Sequence, residues 1–248
     1  MNLPHYIYLY AGYGVALLCW FVVSNYLKLG KSILAQGDDH INFKRPWLEF
    51  IFSIIAVVCV ILVGQLFVRG WLFEGGVIAD SINQILIFTP IVLLLPIRRQ
   101  SWQTALFPRK GKLFSVLIGF GIAVISLIVF MVLKGHNGNG ILKNLLFIYH
   151  YDNLDVLVQV FLEDFAIAVV LYRLIQCIGL KRAVIVVAVL FAAAHIPAMV
   201  ANGVSAENFI GLLFDTVLGI LILRTLYSSR NFLWFWMIHF AMDLTQFL

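Results

Sequence analysis

Residues 113–133 read LFSVLIGFGIAVISLIVFMVL, a run of 21 positions without a charged side chain. An α-helix rises 1.5 Å per residue, so a helix over this run crosses the roughly 30 Å hydrocarbon core of a bilayer. Further apolar runs of similar length lie on both sides of it. The run therefore predicts a membrane-spanning helix, and its repetition predicts an all-α, polytopic transmembrane bundle.

Composition supports the same fold class. The 248 residues are 62% hydrophobic and 12% charged, with a mean hydropathy of +1.00. Soluble domains carry about 25% charged residues, so this chain has too little charge to cover a water-facing surface. The net charge of +5 comes from short Lys and Arg clusters between apolar runs, which is typical of membrane orientation and not of nucleic-acid binding. The bilayer is the expected partner, and nucleic acid is not.

The sequence predicts one membrane domain, a multi-pass protein of the cell membrane, with about eight spans. We expect the spans at Tyr6–Leu27, Trp47–Val68, Ser81–Ile97, Leu113–Leu133, Asp155–Gly179, Ala183–Ala201, Asn208–Leu223 and Asn231–Leu248. Residues 141–150 are expected to form an interfacial helix. Of the 17 Lys and Arg residues, this arrangement puts thirteen on one side and Arg69, Lys134 and Lys143 on the other, with Arg173 inside a span. Such a bias places the basic loops in the cytoplasm and both termini on the opposite side.

Ionisable residues inside the spans are confined to the second half of the chain. They are Glu163, Asp164, Arg173, His195, Asp215, His239 and Asp243. A charged residue at the centre of a bilayer costs about 2.5–3.5 kcal/mol, so these groups are expected to face the protein interior and to serve a purpose. We therefore expect residues 1–150 to be scaffold and residues 151–248 to be the functional core.

The spacing of these residues indicates a hydrolytic site. His239 and Asp243 are four residues apart and share one helix face, as do Phe191 and His195. Glu163 and Asp164 are adjacent and point about 100° apart, which predicts different partners. Histidines and carboxylates that converge in a dry interior can activate a water and stabilise an oxyanion. No cofactor or metal is expected, and no HExxH motif is present.

Arg173 and Asp215 are expected to be structural. Arg173 precedes Lys181 by eight residues and Asp215 precedes Arg224 by nine, so both lie roughly 12–14 Å from the basic side. Equal depth and opposite charge predict an ion pair between two helices.

The functional residues resemble the motifs of the CPBP family, the CAAX prenyl-protease and bacteriocin-processing membrane proteins, also called the Abi family. That family has EExxxR, FxxxH and HxxxN or HxxxD motifs on successive helices. The matching stretches are Glu163-Asp164, Phe191-Ala-Ala-Ala-His195 and His239-Phe-Ala-Met-Asp243, and Gly219-Ile-Leu-Ile-Leu-Arg-Thr is also similar. The resemblance covers roughly residues 156–248.

The resemblance implies an intramembrane endopeptidase, some relatives of which cut prenylated C-terminal tails. Glu163 would then be the general base, assisted by His195, while His239 and Asp243 would hold the water or the oxyanion. The second acid is Asp164 where the motif has Glu, and the motif arginine position is Ala168. We expect replacement of Asp164 to reduce activity less than replacement of Glu163. The implied partner is a peptide or protein substrate that reaches the membrane.

Three alternatives stay open. Ala168 is compatible with a non-catalytic scaffold, chaperone or immunity factor of the same fold. Chains of Asp, Glu and His also form relays in ion-coupled transporters, although matching Gly/Pro-broken helices in two halves are missing from the sequence. A metal-dependent hydrolase is the third, because Glu163, His195, His239 and Asp243 are compatible with metal ligation.

The charge bias predicts the topology directly. Reporter fusions at Gly37 and Pro108 are expected to behave as cytoplasmic, and a fusion at Gly138 as non-cytoplasmic, because thirteen basic residues collect on the first side. Reporter activity in whole cells measures this. A non-cytoplasmic reporter at Pro108 would overturn the eight-span arrangement.

Overall fold

A computed structural model describes residues 3–25, 41–194, 196 and 206–248. Within these ranges the protein is all-α, with nine α-helices and three short 3-10 turns. The helices are α1 Leu3–Asn25, α2 Pro46–Val68, α3 Gly76–Ile97, α4 Lys112–Leu133, α5 Gly138–Ile148, α6 Leu154–Ile178, α7 Leu180–Ala193, α8 Ala206–Ser229 and α9 Leu233–Asp243. The turns are Trp102–Ala105, Tyr151–Asn153 and Leu244–Phe247.

Local sequence signals set several of these bounds. Pro46 occupies the first turn of α2, where its missing N–H is not needed. Asp155 in the first turn of α6 complements the helix dipole. Gly179, with φ +81°, separates α6 from α7 in a backbone conformation that favours glycine. The helix predicted over residues 141–150 is present as α5, which exposes Leu142, Leu146 and Phe147, and its place at the membrane interface stays a prediction.

Five helices have the length and composition to cross a membrane, so the protein is a multi-pass membrane protein. They are His5–Asn25, Pro46–Val68, Gly76–Ile97, Lys112–Leu133 and Phe209–Ser229. On α2 the side chains of Ile51, Ile55, Val58 and Leu62 form an exposed apolar stripe, as expected for a helix that faces lipid.

The eight-span arrangement is not shown by the structure. α7 has 14 residues and α9 has 11, which correspond to about 21 Å and 17 Å, less than the hydrocarbon core of a bilayer. α6 has 25 residues, but its ionisable side chains lower its apolar character. The sixth predicted span continues into residues 197–205, which lie outside the described residues. Eight spans therefore stay a prediction.

Helices α6 and α9 occupy the centre of the bundle. α6 packs against α2, α3, α7 and α9, while α9 packs against α4, α1 and α6. α8 contacts α7 and α1. The two motif-bearing helices that the structure describes in full are therefore enclosed by helices from both halves of the chain.

The contact between α4 and α9 is close enough to require a glycine. A Cβ atom at Gly119 would overlap the backbone of Trp234. The indole of Trp234 stacks on Trp20 of α1, with ring centroids 4.0 Å apart and an interplanar angle of 7°. At the start of α9, Asn231 donates to the Ser115 hydroxyl at 2.7 Å. These contacts fix α9 against α1 and α4.

Arg173 lies in a polar network at the basic end of the bundle. Its fully buried guanidinium donates to the Gln100 side chain and to the carbonyl oxygens of Val169 and Thr104. Gln100 in turn donates to Glu49 at 2.7 Å. Arg98 donates two hydrogen bonds to the same Glu49 carboxylate, of 2.6 and 3.2 Å. The network joins α2, α6 and the segment that follows α3.

The predicted Arg173–Asp215 ion pair is wrong. The structure describes both residues and places them on α6 and α8, with different partners. The Asp215 carboxylate accepts a hydrogen bond of 2.7 Å from the Tyr10 hydroxyl of α1. Equal depth in the membrane stays a prediction, and helices at equal depth need not be neighbours. Arg173 is stabilised by Gln100 and Glu49 instead.

Double-mutant cycles distinguish the two arrangements. Arg173→Ala and Glu49→Ala both disrupt the contacts of Gln100, so their effects on the free energy of unfolding should be coupled by about 0.5–3 kcal/mol. Arg173→Ala and Asp215→Ala change different described contacts and should add to within about 0.5 kcal/mol. Reversible unfolding in detergent micelles measures both cycles. If the Arg173→Ala/Asp215→Ala variant were more stable than either single variant, that result would support the ion pair predicted from the sequence.

Candidate active site at the contact between α6 and α9

Glu163 and Asp164 lie near the middle of α6, far from both ends of the helix. Asp164 is ten residues after the start of the helix and 14 before its end, which correspond to about 15 Å and 21 Å. Its side chain is buried against α9. Glu163 points away from it and accepts a hydrogen bond of 2.8 Å from the Gln159 amide one turn earlier. The prediction that the two acids have different partners is confirmed.

His239 is the partner of Asp164. Its Nδ1 atom lies 2.9 Å from Asp164 Oδ1, and the ring is almost fully buried. On the other side of the ring, Nε2 lies 3.9 Å from Oδ1 of Asp243, four residues later on α9. The predicted shared face of His239 and Asp243 is thus confirmed. The imidazole lies between two carboxylates contributed by different helices.

Aromatic rings hold the imidazole in place. Phe235 stacks against His239 with ring centroids 5.4 Å apart, and Phe191 of α7 meets it edge-on at 6.2 Å. Tyr13 of α1 stacks on Phe235 with ring centroids 6.3 Å apart. Apolar walls exclude water and strengthen the electrostatic interactions of the buried charges. The ring therefore has a fixed orientation and a low-dielectric environment.

Two features leave the cluster open to a further polar group. The second oxygen of the Asp164 carboxylate, Oδ2, is buried and has no hydrogen-bond partner among the described residues. Asp243 at the end of α9 keeps 43% of its side chain exposed. Buried carboxylate oxygens are normally hydrogen-bonded, so a water molecule or a substrate group is a suitable partner for Oδ2.

Four of the five sequence-predicted site residues are therefore close to one another. Glu163 interacts electrostatically with His239, Asp164 and Asp243, although its hydrogen bond is to Gln159. The fifth residue, His195, lies outside the described residues. Phe191, which precedes it by four positions, contacts His239 at the end of α7. The common cavity predicted for Glu163, His195, His239 and Asp243 stays a prediction.

Sequence reasoning missed two residues of this region. Gln159 could have been found, because it precedes Glu163 by four residues on the same helix face. Tyr13 had no signal in the sequence, since it comes from the first helix. Its phenol lies within electrostatic range of Asp164, Asp215 and Asp243. α1 thus contributes to the site as well as to the surrounding bundle.

The chemistry of the cluster is that of acids and bases. Within the described ranges, no three His, Cys, Asp or Glu side chains are arranged to hold a metal ion. Carboxylates and an imidazole can accept, hold and return a proton, and a buried imidazole can donate to a developing oxyanion. A carboxylate close to a fixed imidazole is an arrangement that can deprotonate a water molecule.

Comparison with known proteins identifies the family of this region. Residues 153–245 match the family described as Type II CAAX prenyl endopeptidase Rce1-like. No curated protein and no solved structure matches the chain. The match begins just before α6 and ends just after α9, so it contains Glu163, Asp164, His239 and Asp243. This part of the chain is a domain of the Rce1-like CAAX prenyl endopeptidase family, the CPBP or Abi proteins whose motifs it resembles.

Proposed function

We propose that this protein is an intramembrane endopeptidase of the cell membrane that hydrolyses peptide bonds in membrane-associated substrates. The observation that supports it best is the Asp164–His239–Asp243 arrangement, with Glu163 beside it. Its two α6 residues, Glu163 and Asp164, lie near the middle of that helix. Four ionisable groups gathered among apolar helices carry a large energetic penalty unless they have a purpose. The family consists of intramembrane endopeptidases, and this is the chemistry that its name describes.

In the proposed reaction, Glu163 is the general base. Its carboxylate removes a proton from a water molecule while the water oxygen bonds to the carbonyl carbon of the scissile peptide. The carbonyl oxygen becomes an oxyanion. The carbon–nitrogen bond then breaks, and the departing nitrogen takes the proton from Glu163. The products are a carboxyl group and an amine, so water is the only co-reactant of the proposed step.

His239 stabilises the oxyanion or orients the water. The Asp164 carboxylate accepts the Nδ1–H of the ring and fixes its orientation, so that Nε2 is directed to the side of Asp243. When Nε2 is also protonated, it can donate to the oxyanion in a site that excludes water. His195 is proposed to assist Glu163, as the family motif implies. Asp164 thus acts as a positioning residue for His239.

The structure gives a reason why Ala168 need not abolish activity. Ala168 is one turn after Asp164, so an arginine there would lie beside the Asp164 carboxylate. In this protein Asp164 contacts His239, and Ala168 is buried. The second acid therefore has a partner without the motif arginine. We propose residues 1–150 as the scaffold for this core and a prenylated or otherwise membrane-tethered peptide as its substrate.

Ala168 is also the observation that favours the second candidate, a non-catalytic scaffold or immunity factor of the same fold. In that protein the Asp164–His239 contact would hold α6 to α9 and carry out no reaction. The two functions differ in the role of Glu163, whose hydrogen bond is to Gln159 of its own helix and does not join α6 to α9.

Glu163→Gln tests the protease directly. The amide keeps the volume of the side chain and an oxygen that can accept from Gln159, but it cannot take a proton. We expect cleavage of a membrane-anchored CAAX peptide in proteoliposomes to fall by at least about 10²-fold, with abundance unchanged. Mass spectrometry of the released peptide, with and without a prenyl group on the cysteine, measures the rate.

Glu74→Gln is the matched control, because it makes the same replacement at an exposed position outside the site. Its rate should equal that of the unmodified protein. If wild-type protein cleaves the peptide and Glu163→Gln cleaves it equally fast, Glu163 is not the base. The scaffold function would then replace the protease.

A comparison of Asp164→Asn with Asp243→Asn tests the positioning role. Asp164 is 2.9 Å from His239, whereas Asp243 is 3.9 Å away and the family motif allows Asn there. We expect Asp164→Asn to lower kcat about tenfold or more with little change in KM, and Asp243→Asn to be tolerated. The expected loss for Asp164→Asn stays smaller than that for Glu163→Gln, as the sequence analysis predicts. Equal rates for Asp164→Asn and Asp243→Asn would contradict the positioning role.

A further inference from the structure

A cavity lies on the side of α6 that carries Phe161 and Phe165. It has a volume of about 620 Å³, within the range of 300–1,000 Å³ that is usual for ligand sites. Its walls come from α3, from α6 and from the segment that joins α3 to α4. Phe161 and Phe165 line it from α6, and Glu163 points about 200° around the helix from Phe161. The cavity is therefore separate from the proposed active site.

The inner part of the cavity is hydrocarbon-like. Ile85 and Val92 line it from α3, seven residues or about 10 Å apart along the helix axis. Leu162, Phe161 and Phe165 face them from α6. An apolar slot along two membrane helices is suited to an extended acyl chain.

The outer part of the cavity is basic. Arg109 and Lys112 line it, and the Lys112 ammonium lies 4.9 Å from the centroid of Phe107, which is also in the wall. The polar side chains of Ser101 and Gln103 lie in the same part of the lining. No carboxylate lines the cavity among the described residues. Trp102, half exposed at its edge, is the kind of residue that marks a membrane interface.

We propose that this cavity binds one anionic membrane phospholipid. An acyl chain would lie along Val92 and Phe165, and the phosphate would lie between Arg109 and Lys112. Basic pockets between helices on the cytoplasmic side of a membrane are suited to anionic head groups. A zwitterionic lipid would bring a second, positive group close to the same two cations, so net negative charge decides the selectivity. The proposal concerns a site distinct from the proposed protease chemistry.

Binding of phosphatidylglycerol to the full chain tests the proposal. The chain is purified in detergent, and the retained lipid is measured by native mass spectrometry in titrations with phosphatidylglycerol and, separately, phosphatidylcholine. We expect phosphatidylglycerol to bind at least about tenfold more tightly. The Arg109→Gln/Lys112→Gln variant should lose about thirtyfold in affinity for it, because two cations near the head group are removed.

Lys181→Gln/Arg182→Gln is the matched control. It removes the same two kinds of charge from exposed positions at the start of α7, outside the cavity lining. Its affinity for phosphatidylglycerol should stay within twofold of the unmodified value. An equal loss in both double variants would mean that general surface charge, and not the cavity, attracts the lipid. That result would overturn the proposal.

Photo-crosslinking locates the acyl chain without any substitution. Phosphatidylglycerol with a diazirine near the chain end should label peptides that contain residues 85–92 and 161–165. Labels confined to the exposed stripe of α2 would overturn the proposal. This test uses the unmodified protein, so it holds even if the double variant fails to fold. A competition experiment gives a further test, in which an uncharged isoprenoid alcohol is added to the unmodified protein and to the Arg109→Gln/Lys112→Gln variant. If the alcohol displaces the lipid equally well from both proteins, the cavity binds a prenyl group and the proposal is overturned.

Discussion

The contact between Asp164 and His239 is the constraint on which the arrangement of the bundle depends. A carboxylate and an imidazole are removed from water in the middle of the bundle, and each is tolerated because the other is 2.9 Å away. The contact fixes the rotation of α6 about its axis, since Asp164 must face α9. That rotation places Phe161 and Phe165 in the wall of the cavity that Arg109 and Lys112 also line, and Arg173 in the network with Gln100. One polar contact thus orders three regions of the same helix.

Much of this could be predicted from sequence, because hydropathy reports depth in the membrane. The apolar runs located five helices that can span a bilayer, and the ionisable residues within the later runs were recognised as costly. Local spacing was also reliable. His239 and Asp243 share a face, and Glu163 and Asp164 diverge, because helix geometry alone determines both. The family resemblance, seen in three short motifs, is confirmed over residues 153–245.

Contacts between helices could not be predicted in the same way, because depth does not specify which helices are neighbours. Arg173 and Asp215 were paired by equal depth, yet α6 faces α2 and α3 there while α8 packs on α7 and α1. For the same reason the sequence could not show that Asp164 contacts His239. Tyr13 was missed because no periodic pattern links the first helix to the last. Helix ends were also uncertain, and α7 and α9 are shorter than their apolar runs.

The absence of a side chain at Gly119 has a consequence for the genetics of this protein. The residue has no functional group and lies outside the family match, yet α9 rests on it through the backbone of Trp234. A methyl group there would push α9 outward, five residues before His239, and would move the imidazole away from Asp164. A mutagenesis screen would therefore group position 119 with the acids and the histidine, although it carries no chemistry. The half of the chain without recognisable motifs controls the geometry of the half that has them.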